Sequence, residues 1–344
     1  MVHRLGELNA SLWRSDGTPG GTVRLTPSEL TVSTLEPIRA LGGRVYFAAA
    51  DTDHGEELWT SDGTPEGTRL LADLEPGAAG SQPRSLTVFE DRLYFSADVG
   101  ESGRELWASD GTPEGTVLVE DVDPRPGIGS SPQLLTEHAG RLFFFATDEE
   151  HGQELWSTDG TAASTTLAAD LAPGPAGFSV SHLVSAGSHL FFSGGPSDLS
   201  QQGLWVSDGT AAGTRLLTDV LIQPDVRPIQ APAVLSGRLF FASIGDQVLW
   251  TSDGTEEGTM PLGTAGGMQI CEPESYQLFA GRLVFSAEGA LYESDGTQTG
   301  TAKILDLAAP SDASFFEVVP AGSRLLFRKW DRLTGSELWA LEAE

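Results

Sequence analysis

The sequence is short of almost everything that would mark a familiar enzyme or a membrane protein. Only one of its 344 residues is cysteine, Cys271, so an internal disulfide and a cysteine-rich metal site are both excluded. No apolar run reaches the roughly 18 residues of a membrane-spanning helix, and the opening Met1-Val-His-Arg-Leu-Gly6 has no apolar signal core. Positive charge is scarce: 20 Lys and Arg stand against 49 Asp and Glu, a formal net charge of −29. Such an acidic surface keeps a protein soluble and repels phosphate backbones and anionic headgroups. Nucleic acid and membrane insertion are therefore not expected, and a cation or a basic surface is the more natural partner. The six histidines, His3, His54, His138, His151, His182 and His189, form no His-Glu-x-x-His motif. There is also no Gly-x-Ser-x-Gly elbow, phosphate loop or dinucleotide fingerprint.

What is present is a repeat. Its fullest copies read Glu57-Leu-Trp-Thr-Ser-Asp-Gly-Thr-Pro-Glu-Gly-Thr68 and Glu105-Leu-Trp-Ala-Ser-Asp-Gly-Thr-Pro-Glu-Gly-Thr116. With the aromatic as a marker, copies fall at Trp13, Trp59, Trp107, Trp156, Trp205, Trp250, Tyr292 and Trp339, at spacings of 42 to 49 residues. Leucine-rich and ankyrin repeats are shorter, and HEAT and armadillo repeats are helical. Each period here holds four short runs of strand type, such as Ser85–Phe89, Arg92–Ser96, Glu105–Ala108 and Thr116–Glu120. They are rich in aliphatic and aromatic residues, bounded by Gly, Asp, Ser and Pro, and apolar nearly throughout, so both faces should be buried.

A four-stranded sheet cannot bury two faces alone, and stacking such sheets into a ring does so. The fold expected is all-β: one β-propeller over residues 1–344, with strands A to D running outward from the centre. Seven complete A-B-C sets are present, the last being Phe316–Trp339, and seven D runs, the first being Thr22–Leu25. Pairing that first D run with the last A-B-C set closes seven four-stranded blades by joining the N- and C-terminal ends. Leu12-Trp13 is left over by this closure, so eight blades with an incomplete first one is the alternative. The motif Trp on strand C is expected to fill the space between blades. Asp-Gly-Thr, with the second Gly at 67, 115, 213, 258 and 300, reads as a C–D hairpin in which both glycines supply positive φ. Ser164 replaces that Gly in the fourth copy, where mild backbone strain is expected.

These repeats resemble the ELWxxDGT repeat family of bacterial proteins, and the resemblance covers practically the whole chain. Ser11-Leu-Trp13, Gly203-Leu-Trp205, Val248-Leu-Trp250 and Ala290-Leu-Tyr292 lack the Glu. The resemblance implies a secreted or surface-attached repeat protein, at the cell surface or outside the cell, with a cytoplasmic one as the alternative. It brings no activity and no catalytic residues with it.

Three constellations are candidate sites. Asp51, Asp53 and Glu56, in the B–C loop that also holds His54, alternate like part of a calcium loop, and Asp148 to Gly152 echo them. The D–A connections Asp73–Gly77 with Gly80–Pro83, and Asp121–Pro132, should share a rim with the B–C loops, where propeller ligands commonly bind. Arg328, Trp330, Asp331 and Arg332, in the last B–C loop, place an aromatic among cations in an otherwise acidic chain, suited to a protein or glycan. On these grounds the expected function is that of a monomeric, non-enzymatic binding or scaffold propeller presenting rim loops to a protein or carbohydrate. It needs no cofactor, with calcium as a possible addition. The alternative is a propeller enzyme, hydrolase or lyase, with its site at the channel mouth.

Overall fold

A computed structural model describes residues 10–223, 232–244, 248–264, 266–271, 273–307, 318–331 and 335–342. The strands fall into eight antiparallel sheets in chain order. Sheet I pairs Trp13–Arg14 with Val23–Arg24. Sheet II is built on Arg44–Asp51, Gly55–Ser61 and Arg69–Ala72, with the short strands Thr31–Val32 and Arg39–Leu41 both paired to the first of these. Sheet III contains Arg84–Phe89, Arg92–Val99, Gly103–Ser109 and Val117–Glu120. Sheet IV contains Gln133–His138, Arg141–Asp148, Gly152–Thr158 and Thr166–Ala169. Sheets V, VI and VII repeat the four-stranded order from Phe178 to Asp306, and sheet VIII has three strands, Val318–Ala321, Arg324–Asp331 and Gly335–Glu342. The only helical turns among the described residues are the two short 3-10 segments Gly100–Ser102 and Ala162–Ser164. The expected all-β architecture of repeated four-stranded antiparallel sheets, propeller-like in its sheet order, is therefore present.

The chain divides into two compact units, Met1–Phe178 and Ser179–Glu344. Inside each, consecutive sheets seal one another. In the first unit Tyr46, Leu58 and Leu71 of sheet II meet Leu86, Leu93 and Phe95 of sheet III, and Tyr94 and Leu106 of sheet III meet Leu142 and Phe144 of sheet IV. In the second, Phe191 and Leu204 meet Leu239 and Phe241, Phe240 and Leu249 meet Leu283 and Phe285, and Val284 and Leu291 meet Leu325 and Phe327. Burying a side chain of this size contributes roughly 1.5–3 kcal/mol, which is why the strands read as apolar on both faces.

Two expectations are corrected and one is refined. First, the N-terminal D run pairs with Trp13–Arg14 of its own hairpin, and Leu25 donates its N–H to the Leu12 carbonyl. That partner is a few residues away, so its loop-closure cost is far lower than that of a strand at the other end of the chain. Gly335–Glu342 is left as the edge strand of sheet VIII among the described residues, with Leu338 74% and Trp339 48% exposed. Second, the motif Trp packs between sheets as expected, Trp107 against the cluster of sheets II and III and Trp156 against that of sheets III and IV, but the preceding Leu is the more deeply enclosed residue. Leu58, Leu106 and Leu155 have no exposed surface, whereas Trp59, Trp107 and Trp156 are half-buried, and the C–D ladder shifts register between Leu and Trp in each of these copies.

Third, the second glycine of the hairpin does not take positive φ. The first does, at +92° in Gly111. The second is required for space: a Cβ on Gly115 would lie 2.0 Å from the Asp110 carboxylate. That carboxylate accepts from the Thr112 N–H at 2.9 Å and hydroxyl at 2.7 Å, the Thr112 hydroxyl accepts from the Gly115 N–H, and the Thr116 hydroxyl donates to the Thr112 carbonyl. The bonds from Thr112 hold the Asp110 carboxyl below its ordinary range. At Ser164 there is no positive φ to strain; its hydroxyl bonds to Asp159 and accepts from the Asp159 N–H. Gly115→Ala should therefore lower the urea midpoint, and Gly115→Ser should lower it less, since the serine can copy Ser164. Equilibrium urea melts of the two variants check this.

Candidate functional site

At the end of strand C away from these hairpins, four copies of the repeat carry Gly-x-Glu-Leu-Trp, beginning at Gly55, Gly103, Gly152 and Gly335. The first three lie in the first unit, and there every constant residue of the motif has a structural duty. The glycines have φ of +65° to +75°. They press against glycines of the D–A connection: a Cβ on Gly55 would come within 2.5 Å of the Gly80 backbone, one on Gly103 within 2.8 Å of Gly129, and one on Gly152 within 2.6 Å of Gly177. This backbone-on-backbone contact brings the B–C and D–A loops together, as the sequence had led us to expect.

The glutamates fasten the same connection. Glu105, without exposed surface, accepts from the Ser130 N–H at 2.6 Å, from the Ser130 hydroxyl, and from the N–H groups of Val122 and Asp123 at 3.3 Å. Glu57 accepts from Ser81 through both its N–H and hydroxyl and from the Glu75 N–H, and Glu154 from the N–H groups of Leu171 and Ala172. Burial pushes Glu105 and Glu154 up to about 7 against the pull of these donors, and raises Glu57 as well. The motif glutamate is a clasp.

The residue between Gly and Glu changes from copy to copy: Glu56, Arg104, Gln153. All three are half-buried at the junction of the loops. Glu56 holds Arg84 in a two-pronged ion pair, Oε1 to Nη1 at 3.0 Å and Oε2 to Nη2 at 2.8 Å, which raises the Arg84 pKa further. The Glu56 carbonyl accepts from the Gln82 N–H, and the Gln82 carbonyl in turn accepts from Arg104 Nη1 at 2.8 Å. Arg104 Nη1 also reaches the carbonyl and hydroxyl of Ser96 at 3.4 Å. Burial lowers the Arg104 pKa first, opposed by Asp98 and assisted by Arg84, and among the described residues no carboxylate lies within ion-pair distance of it. Glu36 completes the group; burial raises its pKa, while the N–H groups of Ser85 and Leu86 bond to it. Gln82, Ser85, Ser131 and Leu134, flanking this row, have φ between +49° and +58°, and left-handed non-glycine residues commonly cluster at functional sites. Two arginines and two glutamates thus converge on one loop junction, a group that can hold a charged or zwitterionic ligand.

The residues singled out from the sequence lie elsewhere or have other partners. Asp51 accepts from the N–H groups of Asp53 and His54 and from the His54 ring at 2.9 Å. Partial burial opposes ionisation of Asp51, but the His54 bonds outweigh it and lower its pKa, and the same contact raises His54. Glu56 is committed to Arg84. Asp51, Asp53 and Glu56 therefore do not meet as a calcium site, and among the described residues no three His, Cys, Asp or Glu side chains are placed to hold a metal ion. Asp148 and His151 repeat the Asp51–His54 pair. Arg328, Trp330 and Asp331 lie not in a loop but in the strand Arg324–Asp331, opposite Leu338, Ser336 and Gly335; their side chains, and Arg332 altogether, lie outside the described residues. A cavity of about 540 Å³ between sheets VII and VIII, lined by Arg282, Glu293, Lys303 and Glu342, has its charges already matched: Arg282 with Glu293, Lys303 with Asp306, and Glu342 with Arg324.

No family model and no curated protein matches this chain. Solved structures do. A Mycobacterium tuberculosis puromycin-hydrolyzing peptidase aligns at 14% identity and a TM-score of 0.51, over 91% of this chain and 54% of that one. A puromycin hydrolase aligns at 15% identity and 0.45, over 89% and 51%, and one of two prolyl endopeptidases at 12% and 0.48, over 95% and 52%. The chain spans about half the length of the structures it matches, and identities this low show the fold alone. The protein is thus of the all-β, propeller-like class. The expected non-enzymatic scaffold is corrected here, since the structure sharing this fold at a TM-score of 0.51 is a peptidase; the hydrolase alternative goes forward in its place.

Proposed function

We propose that this chain is the propeller portion of a hydrolase acting on peptide-like amides, with loops that admit and orient the substrate. The observation that carries the reading is the fold likeness to a puromycin-hydrolyzing peptidase, which extends over 91% of this chain but only 54% of that enzyme. The charged loop junction supports it. Arg104 and Arg84 beside Glu36 and Glu56 offer both signs of charge at half-buried positions, as a backbone with a free terminus or charged side chains would require. An extracellular location, proposed from the repeat resemblance, suits a peptide-processing role.

The test is equilibrium binding of short N-acetylated peptides and of oligosaccharides to the protein, with mass spectrometry of the mixtures afterwards. Saturable peptide binding that weakens in Arg84→Ala and Arg104→Ala is expected, with no oligosaccharide binding. Cleaved peptide in the same samples would place the bond-breaking groups on this chain as well. Binding of oligosaccharides alone, or of neither, would overturn the proposal.

A further inference from the structure

The motif Gly-x-Glu-Leu-Trp separates two tasks. Glycine and glutamate fix the loop junction in each of the three copies of the first unit, and the residue between them is held in the same place each time. Backbone contacts do this. The carbonyls of Glu56 and Arg104 accept from the N–H groups of Gln82 and Ser131 at 2.8 and 2.9 Å. A Cβ on Gly80, Gly129 or Gly177 would meet the backbone N of Glu56, Arg104 or Gln153 at 2.5, 2.3 and 2.2 Å. A rigid frame therefore presents one acidic, one basic and one neutral side chain at equivalent positions in three successive sheets.

Arg104 is the charged member of this row that makes no ion pair among the described residues. A guanidinium stays protonated under all ordinary conditions and has five N–H donors. Nη1 is directed by the carbonyls of Gln82 and Ser96, which are neutral, while the charges of Asp98, Glu56 and Glu36 act on the guanidinium without pairing with it. Arg84, whose charge also acts on Arg104, is already paired with Glu56. Asp98 stands opposite Arg104 in the B–C ladder, but it is exposed and makes no ion pair with it among the described residues. Burial of such a cation is unfavourable until an anion is supplied, and carboxylates suit guanidinium geometry best.

Resting on the reading of this junction as a peptide-binding site, we propose that Arg104 recognises a carboxylate of the substrate, and that the x residue of Gly-x-Glu-Leu-Trp is the specificity-determining position of the repeat. The probes are N-acetyl-dialanine with a free terminal carboxylate and its terminal amide, titrated into the full chain by calorimetry. The carboxylate form should bind about tenfold more tightly, as expected for one charge-assisted pair. Arg104→Gln should abolish the preference, Arg104→Lys should keep part of it, and Arg69→Gln, at an exposed arginine of the outer strand Arg69–Ala72, should leave it unchanged; thermal melts of each variant confirm folding. Equal affinity of the two probes for the wild type, or a preference that survives Arg104→Gln, would overturn the carboxylate assignment while leaving peptide binding in place. Binding of neither probe would overturn both.

Discussion

Glu105→Ala is expected to destabilise the protein by about 3–5 kcal/mol, the cost of leaving several buried donors without their charged acceptor. Those donors are the Ser130 hydroxyl and the N–H groups of Ser130, Val122 and Asp123. Glu105→Gln keeps the shape but turns an amide NH2 toward donors, so it should cost less, about 1–3 kcal/mol. Stability should also depend on pH with a definite sign. Burial raises Glu105 and Glu154 from 4.5 in the unfolded chain to about 7 in the fold, so each contributes stability that is complete below pH 4.5 and is lost as pH rises through 7. At about 1.4 kcal/mol per pH unit, each group can contribute on the order of 3 kcal/mol to that decline. The Ser130 hydroxyl can reverse to accept from the protonated acid. His54 and His151, raised by Asp51 and Asp148, act in the same direction near and above neutrality. The hairpin aspartates Asp62, Asp110 and Asp208, all lowered by their threonines, act oppositely and lose their contribution below pH 4. Melting temperature should accordingly be highest near pH 5 and fall toward pH 8. Glu105→Gln should flatten the decline; a rise in melting temperature between pH 5 and 8 would show that the donors outweigh burial and would contradict the raised pKa of these glutamates.

Gly129→Ala carries the second large effect. Gly129 has φ of +69° and its absent Cβ would lie 2.3 Å from the Arg104 backbone nitrogen. Strand C and the D–A connection would both have to give, in a frame packed as densely as an organic crystal. A loss of about 3 kcal/mol or more is expected from strain and clash together, visible as a lower urea midpoint. Because Arg104 would move with its backbone, the preference for carboxylate probes should weaken in the same variant. Gly127→Ala is the control. It has a similar φ, +72°, but nothing within 4 Å of its Cβ, so it should show the strain without the displacement.

The architecture was legible from the sequence because the repeat states it many times over. Apolar runs such as Arg92-Leu-Tyr-Phe-Ser96 can satisfy their backbone only in sheets and their side chains only between sheets, and Asp-Gly-Thr can scarcely be anything but a hairpin. The closing pair was less legible: Val23–Arg24 has the composition of any D strand, and composition does not say whether the neighbouring Trp13 or the distant Trp339 takes it. The roles of the two glycines also required coordinates, since positive φ and close approach select the same residue. The site was hidden for a related reason. Unusual residues, such as Trp330 among its cations and the acidic Asp51 loop, stand out in the sequence, whereas the charged junction is made of ordinary residues at an ordinary place in the repeat. One signal was available: within Gly-x-Glu-Leu-Trp a single position changes from Glu56 to Arg104 to Gln153. Glu36 and Arg84 carried no such mark, because they reach the junction from other strands and loops.

The most direct test is a crystal structure of the protein soaked with N-acetyl-dialanine. The ligand carboxylate should lie within hydrogen-bond distance of the Arg104 guanidinium, with Glu105 still clasped to Ser130 beneath it. A ligand bound instead at the Asp-Gly-Thr hairpins, at the other end of strand C, would contradict the division of the repeat into a constant frame and a variable reading position.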